Sequence, residues 1–444
     1  MPALRTVSTT ATDRDTERLA AILAELAVRY RVPSAQLAVH IDGRTTSVTG
    51  SATGDRVDPD AKIPIGSITK AFTAALSMLL VADGDLDLDD PIGEHLPELG
   101  SGPGDHAGTL TVRQVLSHTS GLPASVGDPS VSPRGYLMTC RDLRLVQSPG
   151  TGFSYSNIGY VLVGRLIERI TGMNWSDAVD TLLLGPLHIV PSFVVGPRAH
   201  GSFLPGHAVG ASVVPVRQTI TPVQAPAGAL ALSAVDLVAF GRTQFADAVV
   251  SGPAGADEFH RMRHPVPGVE PFGLADGWGL GLALFRDPVG DWVGHDGTAD
   301  GTSCHLRIDP ANGRVVALTT NASTGSALWE DLIVRLRDGG LPVADYDTGA
   351  LERPVAVPGE LSGHYANGDL EYRVDVRDAR TAALVVGGEV YPGLMLHRDG
   401  AFSVREPASG RRVLGGRFLW DSDTGRVRGI QTGGRVARRR EPVH

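Results

Sequence analysis

Two lysines stand out in a chain that otherwise takes its positive charge from arginine. Of 40 basic residues only Lys62 and Lys70 are lysines, and both lie within five residues of Ser67. A guanidinium keeps its proton at working pH, whereas a desolvated ammonium gives its proton up, so a general base is a task for lysine. Ser67 and Lys70 are three apart in Pro64-Ile65-Gly66-Ser67-Ile68-Thr69-Lys70, and the apolar run Ala71 to Leu80 follows at once. Gly66 breaks the preceding segment and Ser67 is a favourable helix start, which predicts a buried helix with Ser67 and Lys70 in its first turn. Positions i and i+3 share a helix face, so hydroxyl and amine can meet, and the positive end of the helix dipole favours a developing alkoxide. This is the Ser-x-x-Lys arrangement of an acyl-transfer nucleophile. Alone, it is equally the pattern of a capping serine with a solvated lysine one turn on.

Two further stretches decide between those readings. Tyr155-Ser156-Asn157 precedes a helical run from Val161 to Ile170, and residues two apart in extended backbone point the same way. A phenol near an ammonium is a proton shuttle, and an amide can hold a lysine or a substrate peptide group. His295-Asp296-Gly297-Thr298 follows glycine-rich strand-like pieces at Trp278 to Phe285 and Trp292 to Gly294. Glycines 277, 279 and 281 follow no strand and open no helix, which excludes a phosphate loop. His260 and His264 stand four apart without an accompanying carboxylate motif, so no metal and no cofactor are expected.

The elements that must position these residues follow from periodicity. Asp13 to Tyr30 reads as an amphipathic helix ended by Pro33, and Ala35 to His40 with Thr45 to Thr49 as a hairpin turning at Asp42-Gly43. Val112 to Ser117 reads as a helix broken by Ser117 to Pro123, and Ser233 to Phe245 as a helix with a Ser233/Asp236 capping box. The stretch from Pro186 to Ala225 has no clear period and is expected to border the cleft. Cys304 to Ile308 and Val315 to Asn321 read as strands, and Ala327 to Arg337 as a closing helix. Helix and hairpin first, strands and helix last, predict one antiparallel sheet built from both ends of the segment, with a helical insertion between.

With Ser67-Ile68-Thr69-Lys70, Tyr155-Ser156-Asn157 and His295-Asp296-Gly297 in this order, the chain resembles the class C β-lactamase and serine penicillin-binding-protein superfamily over roughly residues 14–340. The class C enzymes have Lys-Thr-Gly where this chain has His295-Asp296-Gly297. In that respect it is similar to the esterases, D-aminopeptidases, D,D-carboxypeptidases and stand-alone peptide cyclases of the superfamily. The resemblance implies that Lys70, with Tyr155, deprotonates Ser67, that Tyr155 protonates the leaving group, and that Asn157 positions Lys70 and the substrate amide. It implies an oxyanion hole made by the backbone N–H groups of Ser67 and Thr298, with Gly297 on the substrate-binding strand edge. His295 lines that edge, either binding a substrate carboxylate when protonated or supporting Tyr155 when neutral.

Beyond Pro354, short strands at Glu371 to Val376, Ala382 to Val386, Gly393 to His397, Phe402 to Val404, Arg412 to Trp420 and Arg426 to Ile430 predict a small antiparallel β-barrel. It resembles the lipocalin-like domain attached to several superfamily members. The expected organisation is α+β: a β-lactamase-like domain over 1–340, with an antiparallel sheet flanked by helices, a linker over 341–354 and a barrel over 355–444. The barrel ends in Arg435, Arg438, Arg439 and Arg440. One of these arginines, with Arg438, Arg439 and Arg440 as the candidates, is expected to anchor a substrate carboxylate; a solvated tail is the alternative.

Composition narrows the function classes. A net charge of −9 excludes a broad basic surface and with it nucleic acid as partner. Two cysteines exclude a disulfide framework. No run reaches the length of a membrane span, and the residues after Met1 contain no apolar signal region, so a cytoplasmic location with no membrane partner is expected. The expected function is a serine acyl-enzyme hydrolase or acyltransferase acting on an ester, a thioester or a D-residue-containing peptide. The alternative is a stand-alone penicillin-binding-protein-type thioesterase that takes a carrier-bound peptidyl thioester and macrocyclises a nonribosomal peptide. A D,D-carboxypeptidase is disfavoured because its substrate lies outside the cell, and a non-catalytic peptide-binding module because Ser67, Lys70 and Tyr155 are all present.

Overall fold

The computed structural model describes residues 11–100, 106–126, 132–195, 202–245, 253–288, 290–347, 351–378, 381–407, 410–421 and 423–440. The amphipathic helix runs Ala11–Arg29 and buries Leu23, Leu26 and Ala27, the apolar stripe at helical spacing. The hairpin Ala35–Ile41/Arg44–Gly50 follows. Its two-residue turn has φ of 51° at Asp42 and 74° at Gly43, the left-handed pair that matches the twist of the flanking strands.

Both ends of the first segment meet in one seven-stranded antiparallel sheet. Its order is Arg44–Gly50, Ala35–Ile41, Arg314–Thr320, Thr302–Asp309, Gly290–Ala299, Ala283–Asp287 and Gly277–Trp278. Ala35–Ile41, from the start of the segment, pairs with Arg314–Thr320, from its end, through Leu37↔Leu318 and Val39↔Val316. One face carries the N-terminal helix and Gly325–Asp338, and the helical insertion packs on the other. The insertion is centred on the helix Thr69–Ala82, where every residue from Thr69 to Leu80 is buried. Such a helix, apolar all round, is stable only inside a core, against Phe240, Tyr160 and Trp175 among others.

The C-terminal segment forms a ten-stranded antiparallel sheet around its own core of Tyr365, Leu384, Phe402, Phe418 and Ile430. The sheet is curled but open, a half-barrel rather than a closed one. Among the described residues its edge strands, Pro354–Val355 and Glu389–Pro392, do not pair with each other. Each contains a proline, which cannot donate to a ladder and suits an edge. The Arg-rich end is not a solvated tail. Arg435–Arg439 is an interior strand between Val427–Thr432 and Gly363–Asn367. At the start of the expected linker, Leu341, Val343 and Ala344 are buried in the core shared with the N-terminal helix. No helix among the described residues is long and apolar enough to cross a membrane.

Candidate active site

Ser67 occupies the short 3-10 turn Gly66–Ile68 that leads into the buried helix, so the α-helix starts two residues later than the sequence predicts. No side chain caps this turn, which leaves the Ser67 hydroxyl available. Lys70 Nζ lies 3.0 Å from Ser67 Oγ and donates to the Ala227 carbonyl at 2.7 Å. Lys70 is fully buried, and burial, followed by the positive charge of Arg435, pushes its amine well below the ordinary lysine value. The second lysine has a different job. Lys62 pairs with Asp236 at 2.5 Å, and Asp236 closes the capping box with Ser233 at the start of Ala234–Gly241.

Tyr155 is buried against Lys70, whose Nζ lies 5.1 Å from the ring centroid. Burial pushes the phenol up to about 12, with a hydrogen bond to Ser67 and the Arg435 charge acting in the opposite sense. Behind it stands His118, which the sequence marked only as part of a helix break. Its ring stacks on Tyr155 at 4.2 Å, and its Nδ1 accepts from the Ser156 N–H at 3.1 Å. Burial holds that imidazole well below its usual value, hence neutral. Asn157 opens the helix Asn157–Thr171, four residues earlier than expected, and lines the cleft beside Ser67. Among the described residues it makes no hydrogen bond to Lys70, whose position is set by Ala227 instead.

His295 is buried on the strand Gly290–Ala299. Its Nδ1 lies 2.6 Å from the Asp296 carbonyl oxygen. A carbonyl only accepts, so Nδ1 carries the proton and Nε2 of the neutral ring is a buried acceptor with no partner among the described residues. Burial and the Lys70 charge push this histidine down to about 4. The neutral ring is therefore the form present near pH 7, and among the described residues it makes no hydrogen bond to Tyr155, whose ring centroid lies 6.3 Å away.

The strand meets the nucleophile turn backbone to backbone. A Cβ at Gly297 would overlap the Ile65 carbonyl oxygen and lie 3.0 Å from the Ile68 nitrogen, and one at Gly66, whose φ is +51°, would overlap the Thr298 carbonyl. Only glycine allows this approach, and it brings Thr298 and Ser67 into the same two cavities. One, of about 410 Å³, also contains Asn157, Gln218, Thr219 and Ile220. The other, of about 180 Å³, is walled by Tyr155, Leu274, Trp278, Phe285, His295 and Arg435. A larger groove of about 470 Å³ beside the N-terminal helix holds none of these residues.

The family model described as Beta-lactamase matches residues 19–339. The chain belongs to the beta-lactamase family. It is 32% identical over 338 residues to Penicillin-binding protein 4 of Amycolatopsis lactamdurans, covering 70% of this chain and 86% of that one. The solved structure of SurE is 38% identical with a TM-score of 0.84, covering 97% of this chain and all of that one; SurE has also been solved with D-Leu. A D-stereospecific amidohydrolase from Streptomyces sp. is 26% identical, with a TM-score of 0.58, over 70% of this chain and 95% of that one.

In this beta-lactamase family chain the C-terminal sheet completes the site. The Tyr155 N–H donates to the Gly434 carbonyl at 3.0 Å, and the Gly434 N–H donates to the Phe272 carbonyl at 3.0 Å. Asn367, fully buried, accepts from the Ala124 N–H at 2.6 Å and donates to the Val436 carbonyl at 2.9 Å. These bonds seat the last hairpin against the motif containing Tyr155, and Arg435 reaches the smaller cavity with its guanidinium carbon 4.9 Å from the Tyr155 ring. The three candidate arginines point elsewhere. Arg438 donates to the Val146 carbonyl, Arg439 to the Ser362 carbonyl at 2.9 Å, and Arg440 pairs with Glu371 at 2.8 Å on the surface. On a strand, side chains alternate and positions drift with sheet twist, so a cluster of arginines reads the same in sequence while of these four only Arg435 lines the cavity shared with Ser67. Arg435→Ala is accordingly expected to raise KM about tenfold, the value of one hydrogen bond to a charged group, while Arg440→Ala leaves kcat and KM within about twofold. Steady-state kinetics of the two variants check this, and equal effects would refute the placement.

Proposed function

We propose that this chain is a serine hydrolase or acyltransferase that forms an acyl-enzyme on Ser67 from an ester, thioester or peptide bearing a D-residue. The observation that carries the reading is the 3.0 Å contact between Ser67 Oγ and a lysine that burial holds well below its ordinary value. Lys70 and Tyr155 are pushed in opposite functional senses: the amine toward its neutral, basic form and the phenol toward its protonated, acidic form. Groups driven apart in this way take the base and acid roles. Lys70 accepts the Ser67 proton as Oγ attacks the carbonyl, the oxyanion is held by the N–H groups of Ser67 and Thr298, and as the intermediate collapses Tyr155 protonates the departing group while the proton on Lys70 replaces its own. Asn157 contacts the substrate amide and Arg435 its carboxylate or carbonyl. The preference for D-configuration is supported by the similarity to SurE, solved with D-Leu, and to a D-stereospecific amidohydrolase.

A second reading makes the acceptor an amine: a thioesterase that releases a carrier-bound peptidyl thioester as a macrocycle, working in the cytoplasm. The lining of the smaller cavity, with Leu274, Trp278 and Phe285 beside Tyr155, favours it, because a largely apolar wall disfavours water as the acceptor. The experiment is intact-mass and product analysis with a peptidyl thioester ending in a D-residue, comparing wild type with Ser67→Ala. A cyclic product lost in the variant supports the cyclase, and a linear acid with a transient adduct on Ser67 supports the hydrolase. No adduct with any ester or thioester, and no labelling of Ser67 by a fluorophosphonate, would refute both.

A further inference from the structure

The strand that carries His295, Asp296 and Gly297 is held from behind by an ion cluster built on a buried arginine, which the acyl-transfer steps do not use. Arg307, on the neighbouring strand Thr302–Asp309, is fully buried. Its guanidinium donates to both oxygens of Asp296, at 2.7 and 3.0 Å, and to Asp345 Oδ1 at 2.6 Å. The guanidinium carbon lies 3.8 Å from the Phe285 ring centroid and 5.3 Å from that of Trp329. Asp296 also meets His305 Nδ1 at 2.8 Å, and the His305 ring stacks on Trp329 at 4.8 Å. Asp345 accepts in addition from Trp329 Nε1 at 2.9 Å.

An arginine fork on a carboxylate fixes both its distance and its plane, which a single charge on a flexible stem does not. Asp296 is the middle residue of the motif. Its carbonyl sets the His295 tautomer, and the two residues after it are wedged against the nucleophile turn. Clamping its side chain therefore clamps the His295 acceptor and the Thr298 N–H together. The other end of the fork, Asp345, belongs to the segment that leads into the C-terminal sheet, whose last hairpin supplies Arg435.

We propose that Arg307 is a positioning residue of this site: through Asp296 it holds the oxyanion strand against the nucleophile turn, and through Asp345 it ties that geometry to the segment entering the C-terminal sheet. The proposal rests on the acyl-enzyme reading of Ser67. Its test uses the full chain, a fluorophosphonate to count labelled Ser67 by intact mass, and a chromogenic ester to measure turnover per labelled chain. Arg307→Lys is expected to lower kcat per labelled chain roughly 10- to 100-fold, the scale of a small misplacement of reacting groups, with KM within about threefold and the labelled fraction near that of wild type. A merely structural arginine gives the opposite pattern, fewer labelled chains with wild-type turnover each, and that result overturns the proposal. Asp345→Asn keeps one oxygen, for Trp329, and turns an amide donor toward Arg307 in place of the oxygen that holds it; a fall of about tenfold is expected, and it decides the matter if Arg307→Lys does not fold. Wild-type turnover in Asp345→Asn then overturns the proposal. Absence of labelling in the wild type would instead remove the acyl-enzyme reading, and this inference with it.

Discussion

Replacing Lys70 by methionine is expected to lower kcat/KM by roughly 10³- to 10⁴-fold, the upper range for loss of a general base. The side chain is fully buried, and among the described residues it hydrogen-bonds Ser67 Oγ and the Ala227 carbonyl. Methionine is a near match in volume and carries no charge, so packing survives while the proton acceptor is lost. Arginine at the same place would retain positive charge but could not act as base, and a comparable loss is expected. The pH profile gives an independent check. The base must be neutral, so wild-type kcat/KM falls as pH drops through the Lys70 value, and because burial holds that value well below the ordinary 10.5, the plateau extends to correspondingly lower pH. That acid limb is expected to vanish in Lys70→Met. Activity of Lys70→Met within tenfold of wild type, with the limb unchanged, would assign the base to another group.

Gly297→Ala is expected to cost at least about 100-fold in kcat, with a smaller change in KM and a lower Tm. The added Cβ would meet the Ile65 carbonyl and the Ile68 nitrogen, both backbone atoms, which have no rotamer to escape through. The strand must retreat from the nucleophile turn, and a displacement near 1 Å at a reacting centre costs about 10² in rate. The Thr298 N–H retreats with it, and an oxyanion donor contributes 10²- to 10³-fold. Gly359→Ala is the control: its Cβ meets nothing within 4 Å, and unchanged kinetics are expected. Thermal melts and steady-state kinetics on both variants test the pair, and a Gly297→Ala enzyme with wild-type kcat would sink the argument.

Much of this site was legible because its chemistry is written in short-range patterns. A serine and a lysine one turn apart on a helix meet by local geometry alone, as the 3.0 Å contact shows. The hairpin at Asp42-Gly43 and the capping box of Ser233 and Asp236 were equally local, and both formed where the residues predict. Local rules misplaced details where tertiary contacts compete. Ser67 was expected to begin an α-helix, yet the close approach of Gly297 and Thr298 is accommodated by a 3-10 turn. Lys62 was grouped with Lys70 by proximity in sequence, but it pairs with Asp236 174 residues away.

The sequence by itself therefore determined the Ser67–Lys70 pairing, the order of the three motifs and the two-sheet organisation, because periodicity and residue chemistry act over one or two turns of chain. Only the tertiary structure decided which arginine faces Ser67, that Ala227 and not Asn157 holds Lys70, that His118 backs Tyr155, and that Arg307 grips the oxyanion strand. Each of those contacts joins residues between 11 and 280 positions apart. Their existence depends on strand register, sheet twist and the seating of the C-terminal hairpin, quantities set by packing of the whole core and carried by no local stretch of the chain.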